Sequence, residues 1–295
     1  MLKIFKIFSL FDDKEWEVLP LRSSASLSYV DYAYIIKLLI KFPWLYSFGD
    51  QLEDTITKVA VTLDQRKLLQ RLFGRFRLVS DNENNKLTTK IVRTIIDEWG
   101  CSPNNSVLIA TSIKDDNEPD GSCIFIYDLM NKMQTWQESN FCKYFDRGHI
   151  RNYQYKRIIL CDDFIGSGGT MERRIKDIKT ILPNAHIYIV SIACMRKAVE
   201  RLQKVSQSIY APIVLDPAID VHKRNSSDYR VMQDMELKLN SKYKSYELER
   251  CTMGWRKACA VYKNNKYRIP NNCFPIFWWG KLKNGDKFNS IFLRP

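Results

Sequence analysis

Two carboxylates and a glycine-rich loop lie close together between residues 158 and 170. The apolar run 158–161 is typical of a buried strand, and Asp162 and Asp163 follow it directly. In an open parallel sheet, ligands bind beyond the carboxyl ends of the strands. Two carboxylates placed there can accept hydrogen bonds from a vicinal diol, such as the 2′- and 3′-hydroxyls of a ribose. They can also help to hold a hydrated divalent cation.

The loop that follows has a composition suited to an anion. It consists of Gly166, Ser167, Gly168, Gly169 and Thr170. Glycines let backbone N–H groups converge on a phosphate, the hydroxyls add donors, and the N-terminus of a following helix adds a favourable dipole. The loop lacks the Gly-Lys-Ser/Thr ending of a Walker loop. Either half alone is more typical of a strand end or a tight turn, but together, in this order, they indicate a ribose 5-phosphate site.

A second candidate surface lies in the C-terminal part of the chain. Residues 221–295 hold 16 Lys and Arg against 6 Asp and Glu, in a chain whose net charge is +13. Aromatic and basic side chains are interleaved here, and such a surface can bind single-stranded nucleic acid by stacking and phosphate contacts. The predicted ligands are Trp255, Arg256, Lys257, Lys263, Lys266 and Arg268, with Tyr243, Tyr246, Tyr262 and Tyr267 as further stacking residues. The alternative is a solvated charged face beside ordinary core aromatics.

The composition argues against several other classes of protein. Eight cysteines and three histidines occur without a Cys-x-x-Cys pair, which disfavours a zinc site and is typical of the reduced thiols of a cytoplasmic protein. No run approaches the roughly 18 apolar residues that a membrane span needs. Residues 1–11 are apolar but lack a small-residue cleavage site. We therefore expect a strand or short amphipathic element there rather than a signal peptide.

The order of the predicted elements indicates an α/β fold. Strands are predicted at 106–111, 157–161, 186–193 and 213–215, alternating with helices at 122–132, 171–182 and 196–205. Such alternation predicts a mostly parallel, doubly wound sheet. Helical patterns at 28–63 and 86–99 precede it, and residues 73–79, 259–262 and 274–279 have an extended pattern. The predicted division is a mainly helical extension over residues 1–65 and an α/β domain with a basic C-terminal portion over residues 66–295.

Residues 158–170 resemble the phosphoribosyl-diphosphate signature of type I phosphoribosyltransferases. They share its four apolar residues, two acidic residues, apolar pair and small-Ser/Thr-Gly-Gly-Thr loop. Residues 66–279, with Pro-Asn-Asn at 270–272, are similar to a divergent branch from bacterial antiphage conflict systems, including proteins carried with retrons. The resemblance implies a phosphoribosyltransferase-like fold and makes Asp162 and Asp163 the catalytic, ribose-binding pair, which reaches Mg²⁺ through the substrate. It also makes residues 166–170 the 5′-phosphate loop.

Members of this family must also hold a pyrophosphate group. The resemblance implies that residues 112–114 form the corresponding loop, with Lys114 as a phosphate ligand. Asp115 and Asp116 follow directly and would repel a phosphate unless a cation intervenes, so an exposed lysine on a polar loop is the alternative. A flexible loop that closes over the site is expected within residues 140–155.

Two functions are compatible with these features. The first is an enzyme or nucleotide sensor that binds phosphoribosyl diphosphate or a similar nucleotide with Mg²⁺; if active, it would be a phosphoribosyltransferase or an N-ribosyl hydrolase. The second is a non-catalytic scaffold of a retron-type defence complex, which would bind structured or single-stranded DNA or RNA and defence effector proteins. Both are expected of a cytoplasmic protein without a membrane partner, and either can form oligomers.

Overall fold

The computed structural model describes residues 27–113, 120–150, 156–223 and 225–294. The element expected over residues 1–11 and the predicted phosphate ligand Lys114 lie outside these described residues. Within the described part of the chain, no helix is long and apolar enough to cross a membrane.

Helices dominate the first part of the chain. Ser28 and Thr62 each begin a helix by accepting the backbone N–H three residues ahead, at 3.1 Å and 3.3 Å. A 3₁₀ turn at Pro43–Phe48 and π turns at Thr55–Val59 and Thr94–Glu98 join or extend these helices. The elements are α1 (Tyr29–Lys41), α2 (Gly49–Asp54), α3 (Leu63–Arg75), the short strand β1 (Arg77–Val79) and α4 (Asp81–Arg93). The helical N-terminal region predicted from the sequence is therefore present.

A parallel sheet forms the centre of the molecule. Its strands are β2 (Ser106–Ala110), β3 (Phe141–Cys142), β4 (Arg157–Ile165), β5 (His186–Met195), β6 (Ser208–Tyr210) and β7 (Ile213–Leu215). The order across the sheet is β3-β2-β4-β5-β6, and β7 also pairs with β5, further along that strand than β6. All five residues of β2 are buried, as expected for a strand with packed layers on both faces.

Helices connect successive strands and cover the sheet. They are α5 (Gly121–Lys132), α6 (Arg147–Ile150), α7 (Gly169–Ile181) and α8 (Arg196–Leu202). The helix α9 (Ser227–Glu236) comes after the last strand of the sheet and packs on α3. The helix α5 packs on β2 and β4, while α4 and α8 pack on β5. The predicted fold class is confirmed: an α/β structure with a mostly parallel sheet, preceded by helices.

The C-terminal part returns to the beginning of the chain. The strand β10 (Tyr262–Asn264) pairs in parallel with β1, and a short antiparallel pair, β8 (Lys242–Tyr243) and β9 (Tyr246–Glu247), leads into α10 (Leu248–Cys251). Trp278 and Trp279 are completely buried. The ring of Phe292 stacks on that of Trp44, with centroids 6.0 Å apart and planes 10° apart.

The structure corrects several predicted element bounds. The strand predicted to end at residue 161 continues to Ile165, because β5 pairs with it that far. Residues 73–75 belong to α3 rather than to an extended segment, and residues 275–277 form a 3₁₀ turn. The elements β6 and α9 were not predicted. The predicted boundary between residues 65 and 66 falls inside α3, and the division of the chain at that point stays a prediction.

Candidate functional site

The two neighbouring carboxylates lie on β4 but in different surroundings. The strand β2 ends at Ala110, level with Cys161, so both acidic residues lie beyond its carboxyl end. Successive side chains of a strand point to opposite faces of the sheet. Asp162 faces a cleft at this edge of the sheet, where its Oδ2 accepts a hydrogen bond from Thr111 Oγ1 at 3.0 Å. The Asp163 carboxylate instead packs against Gly121 at the start of α5, where a methyl group would overlap it.

Negative charge accumulates around this pair. Burial, followed by the nearby charges of Asp163 and Asp120, raises the pKa of Asp162 well above its ordinary value. Burial and Asp120 raise the pKa of Asp163 to about 6. The protein supplies little positive charge to these carboxylates. Hydroxyl donors or a cation brought by a ligand would therefore stabilise their ionised forms.

The glycine-rich loop leads from β4 into α7, as the sequence predicts. Gly168 precedes the helix with φ of 75°, a left-handed conformation that favours glycine. Ser167 Oγ accepts the N–H of Gly169 at 3.4 Å. The first N–H groups of a helix have no partners within the helix, so those of α7 that follow Gly169 are available to an anion.

A cleft of about 440 Å³ lies over this loop. Asp162, residues 164–171 and the three residues that follow β2, Thr111, Ser112 and Ile113, line it together with Asp120. Among the described residues that line the cleft, Asp162 is present and Asp163 is not. The cleft therefore brings one of the two predicted carboxylates, the whole predicted phosphate loop and the described part of the predicted pyrophosphate loop into one space.

The C-terminal part of the chain forms the remaining wall of the cleft. Trp255, Arg256, Asn271 and Asn272 line it together with the sheet and loop residues. Trp255 and Arg256 were predicted from the sequence as nucleic-acid ligands, and the structure places both beside the glycine-rich loop.

The other predicted nucleic-acid ligands lie in different environments. Lys263 is partly buried and donates to the backbone carbonyls of Asn264 and Tyr267. Lys266 forms an ion pair with the buried carboxylate of Asp128. Lys257 and Arg268 are exposed. Tyr262 and Tyr267, predicted as stacking residues, are buried. The Tyr262 ring stacks on that of Phe164, and the Tyr267 hydroxyl donates to the carboxylate of Asp128. In this conformation neither ring can stack on a base, and that part of the prediction is corrected.

The PRTase-CE family model matches residues 44–294, which is most of the chain. The chain belongs to the PRTase-CE family. It is therefore a phosphoribosyltransferase-like protein, in agreement with the resemblance carried by residues 158–170.

More distant comparisons add little. None of the curated proteins compared with this PRTase-CE chain matches it. The structure of the AQ2163 protein from Aquifex aeolicus is similar at 10% sequence identity and a TM-score of 0.31, over 64% of this chain and 86% of that chain. At that TM-score the similarity bears on neither fold nor function.

Two arginines of the PRTase-CE cleft were missed from the sequence. Arg173 is exposed and lines the cleft from the beginning of α7. Arg174 is buried, and its Nε donates to the carbonyl of Thr111 at 2.9 Å, while its guanidinium lies 4.4 Å from the centre of the Phe145 ring. Arg174 thus fixes the loop after β2 to the helix after the phosphate loop. Its position one turn into a helix that follows a glycine-rich loop was the available signal.

The described part of the predicted closing loop lies beside a second cavity, of about 670 Å³. Two basic side chains of this loop already have partners: Lys143 pairs with Glu138 at 3.2 Å, and Arg147 pairs with Asp177. Ile113 and Arg174 line both this cavity and the main cleft.

The fit to a magnesium ion rests on the carboxylates. In residues 27–113, 120–150, 156–223 and 225–294, no three His, Cys, Asp or Glu side chains are grouped to hold a metal ion. The two carboxylates that line the cleft, Asp162 and Asp120, suit a magnesium ion that keeps several waters and takes further oxygen ligands from a bound phosphate.

Proposed function

We propose that this phosphoribosyltransferase-like protein binds phosphoribosyl diphosphate or another nucleotide that contains ribose 5-phosphate. The observation that carries the proposal is the shared cleft: Asp162 and the loop of residues 166–170 face one space at the end of β4. A ribose 5-phosphate has a diol at one end and a phosphate at the other, and these two sites match those ends.

Each group of the cleft has a defined role in this proposal. Asp162, held by Thr111 Oγ1, accepts hydrogen bonds from the ribose hydroxyls. The N–H groups at the start of α7 and the hydroxyls of Ser167 and Thr170 bind the 5′-phosphate. Asp163 raises the pKa of Asp162 through its negative charge.

The residues after β2 fit a second phosphate group of the ligand. Thr111, Ser112 and Ile113 line the cleft, and Arg174 of α7 holds their backbone by donating to the carbonyl of Thr111. Lys114 follows them and remains the predicted pyrophosphate ligand. A magnesium ion bound through Asp162 and the substrate would neutralise the pyrophosphate as a leaving group. With that ion, the cleft suits transfer or hydrolysis at ribose C1.

Calorimetry tests the proposal directly. Wild type should bind phosphoribosyl diphosphate in the presence of Mg²⁺, and Asp162→Asn should bind it at least about 10-fold more weakly, because hydrogen bonds to a charged group are lost. Asp228→Asn removes an acidic side chain at the start of α9 that pairs with Arg71, and it should bind like wild type. Equal binding by wild type and Asp162→Asn, or no binding by wild type, would refute the proposal.

A role in antiphage defence is a further part of the proposal. It is supported by the resemblance of residues 66–279, with the Pro-Asn-Asn segment, to proteins of bacterial conflict systems that include retrons. The alternative function, a scaffold for nucleic acid and effector proteins, is supported by the exposed side chains of Lys257 and Arg268 and by the excess of Lys and Arg in residues 221–295. Purification of the protein from its own host would test both ideas, because a retron nucleic acid or an effector protein should copurify with it.

A further inference from the structure

The segment of residues 253–259 brings an arginine side chain over the phosphate loop. A methyl group built on Gly169 would lie 2.7 Å from Nη1 of Arg256. The guanidinium group therefore rests almost directly on the backbone of the loop, at the residue where α7 begins. Arg256 also lines the cleft that Asp162 faces.

Nothing in the described part of the chain neutralises this guanidinium group. Arg256 is exposed, and it makes no hydrogen bond or ion pair with any described residue. Other basic residues near it in sequence differ: Lys263 donates to two carbonyls and Lys266 pairs with Asp128. An unpaired guanidinium group beside the N–H groups at the N-terminus of a helix can bind the same anion as those N–H groups.

The backbone that carries Arg256 is strained. Met253, Arg256, Lys257 and Cys259 have φ of 61°, 55°, 57° and 50°, and these are four of the five non-glycine residues with positive φ in the described part of the chain. Such conformations are unfavourable for residues with a side chain, and they persist where the surrounding structure imposes them, often at ligand sites. The concentration of strain in one segment that faces the cleft indicates that its shape serves the site.

Hydrogen bonds hold this segment in place against the phosphate loop. The N–H of Trp255 donates to the carbonyl of Asn271 at 2.8 Å, and Asn272 Nδ2 donates to the carbonyl of Trp255 at 3.2 Å. The Asn272 side chain packs so closely on Gly166 that a methyl group there would overlap it. The first residue of the phosphate loop and the backbone beside Arg256 are therefore linked through one amide side chain.

We propose that Arg256 is a direct ligand of the 5′-phosphate group bound by residues 166–170. Its planar, forked guanidinium group can donate two hydrogen bonds to a phosphate. The loop N–H groups and Arg256 then hold the phosphate between them. The ligand class is a phosphate monoester on the ribose, and unphosphorylated ribosides are discriminated against. This inference rests on the proposed function of the cleft.

Ribose 5-phosphate is the probe that isolates this contact, since it has the 5′-phosphate but no pyrophosphate. In calorimetry, Arg256→Gln should bind it about 10- to 100-fold more weakly than wild type, as expected for the loss of charged hydrogen bonds. Lys257→Gln is the matched control: it removes the same charge from the next residue, which also has positive φ but does not line the cleft. It should bind within about 2-fold of wild type, because an exposed charge away from the ligand is screened by salt.

The outcomes separate this inference from the proposed function. If wild type binds ribose 5-phosphate and Arg256→Gln binds it equally well, or if Arg256→Gln and Lys257→Gln weaken binding equally, the role of Arg256 is overturned and the proposed function stands. If wild type does not bind the probe, the role of Arg256 is overturned, and calorimetry with phosphoribosyl diphosphate decides the proposed function separately. Arg256→Lys keeps the charge without the fork and should give an intermediate affinity. If Arg256→Gln unfolds, the comparison of Arg256→Lys with wild type decides, and equal affinity again overturns the role.

Discussion

Glu236 is a buried carboxyl group that lies directly behind the Arg256 segment. It ends α9, and both of its oxygens accept the N–H of Met253 at 3.1 Å. Burial raises the pKa of Glu236 to about 8, and the Met253 N–H offsets only part of that effect. At neutral pH the carboxyl group is therefore mostly protonated, and it ionises as the pH rises through about 8.

The protonation of Glu236 predicts how stability depends on pH. The folded state holds this proton more tightly than the unfolded state, in which the pKa of Glu236 is near 4.5. The proton therefore adds its full contribution to the free energy of unfolding below pH 4.5. That contribution is lost as the pH rises to about 8. Glu236→Gln stays neutral and keeps a carbonyl acceptor. Relative to that variant, the free energy of unfolding of wild type should fall by at most about 1.4 kcal/mol for each pH unit in this window.

Urea denaturation of wild type and Glu236→Gln at several pH values measures this difference. Asp234→Asn, an exposed acidic residue on the same helix, serves as the control and should follow wild type across the window. Parallel stability curves for wild type and Glu236→Gln would show that Glu236 does not titrate there.

Asp162 and Asp163 predict different mutational effects although they are adjacent. Asp162 faces the cleft, whereas Asp163 packs against Gly121 and raises the pKa of Asp162 by its charge. Asp163→Asn should therefore bind ribose 5-phosphate within about 3-fold of wild type near neutral pH, since no direct ligand contact is lost. Its affinity should persist to lower pH than that of wild type, because the ionised form of Asp162 is stabilised. A 10-fold loss at neutral pH would instead indicate that Asp163 contacts the ligand.

At the level of elements, the phosphate loop and the segment 253–259 depend on each other through Gly166. An alanine there would displace the Asn272 side chain from Gly166 and from the carbonyl of Trp255. Gly166→Ala should lower the affinity for ribose 5-phosphate by about 10-fold, comparable to the loss of one charged hydrogen bond, through displacement of Arg256. Gly74→Ala, whose added methyl group meets Phe42 at an ordinary 3.5 Å, should leave the affinity unchanged. Calorimetry on the two variants checks the difference, and equal affinities would show that the two elements are independent.

The elements that could be predicted from the sequence are those whose own residues form a recognisable pattern, such as an apolar run or a glycine-rich loop. The strands β2, β4, β5 and β7 are apolar runs, and the glycine loop marks the start of α7. The strand β4 continues through Ile165 because it pairs with β5 that far. The acidic residues Asp162 and Asp163 interrupt the apolar pattern, so the sequence alone places the end of the strand too early. Trp255 and Arg256 were singled out for their chemistry but assigned to a nucleic acid. They lie beside the phosphate loop in a segment, residues 253–259, whose non-glycine residues include several with left-handed backbone. No pattern of residue types predicts such a conformation.

At the level of the whole molecule, charge is the property that separates the two functions. The net charge is +13, and residues 221–295 hold 16 Lys and Arg against 6 Asp and Glu. Tyr262 and Tyr267 are buried, and Lys263 and Lys266 have partners within the chain. The predicted nucleic-acid ligands that remain accessible are Trp255, Arg256, Lys257 and Arg268, with the half-buried Tyr243 and Tyr246.

A scaffold function predicts that binding of single-stranded DNA or RNA weakens steeply with salt. Contact with about four phosphates would give a slope near −3 for the logarithm of the binding constant against that of the salt concentration. Fluorescence anisotropy of a labelled oligonucleotide measures this slope. The double variant Lys257→Gln/Arg268→Gln should reduce it by about one unit, whereas Lys86→Gln on α4 should not. A slope near zero, or no binding at low salt, would count against the scaffold function.

The return of the C-terminal part to the N-terminal helices has a consequence for biosynthesis. Every strand of the central sheet lies between residues 106 and 215. Later in the chain come β10, which pairs with β1, and Arg256 and Asn272, which pack on the glycine-rich loop. Domains fold from the N-terminus as the ribosome extends the chain. We therefore expect a nascent chain to have its sheet and glycine-rich loop before it has the arginine, so that anion binding is the last property the protein acquires as it is made.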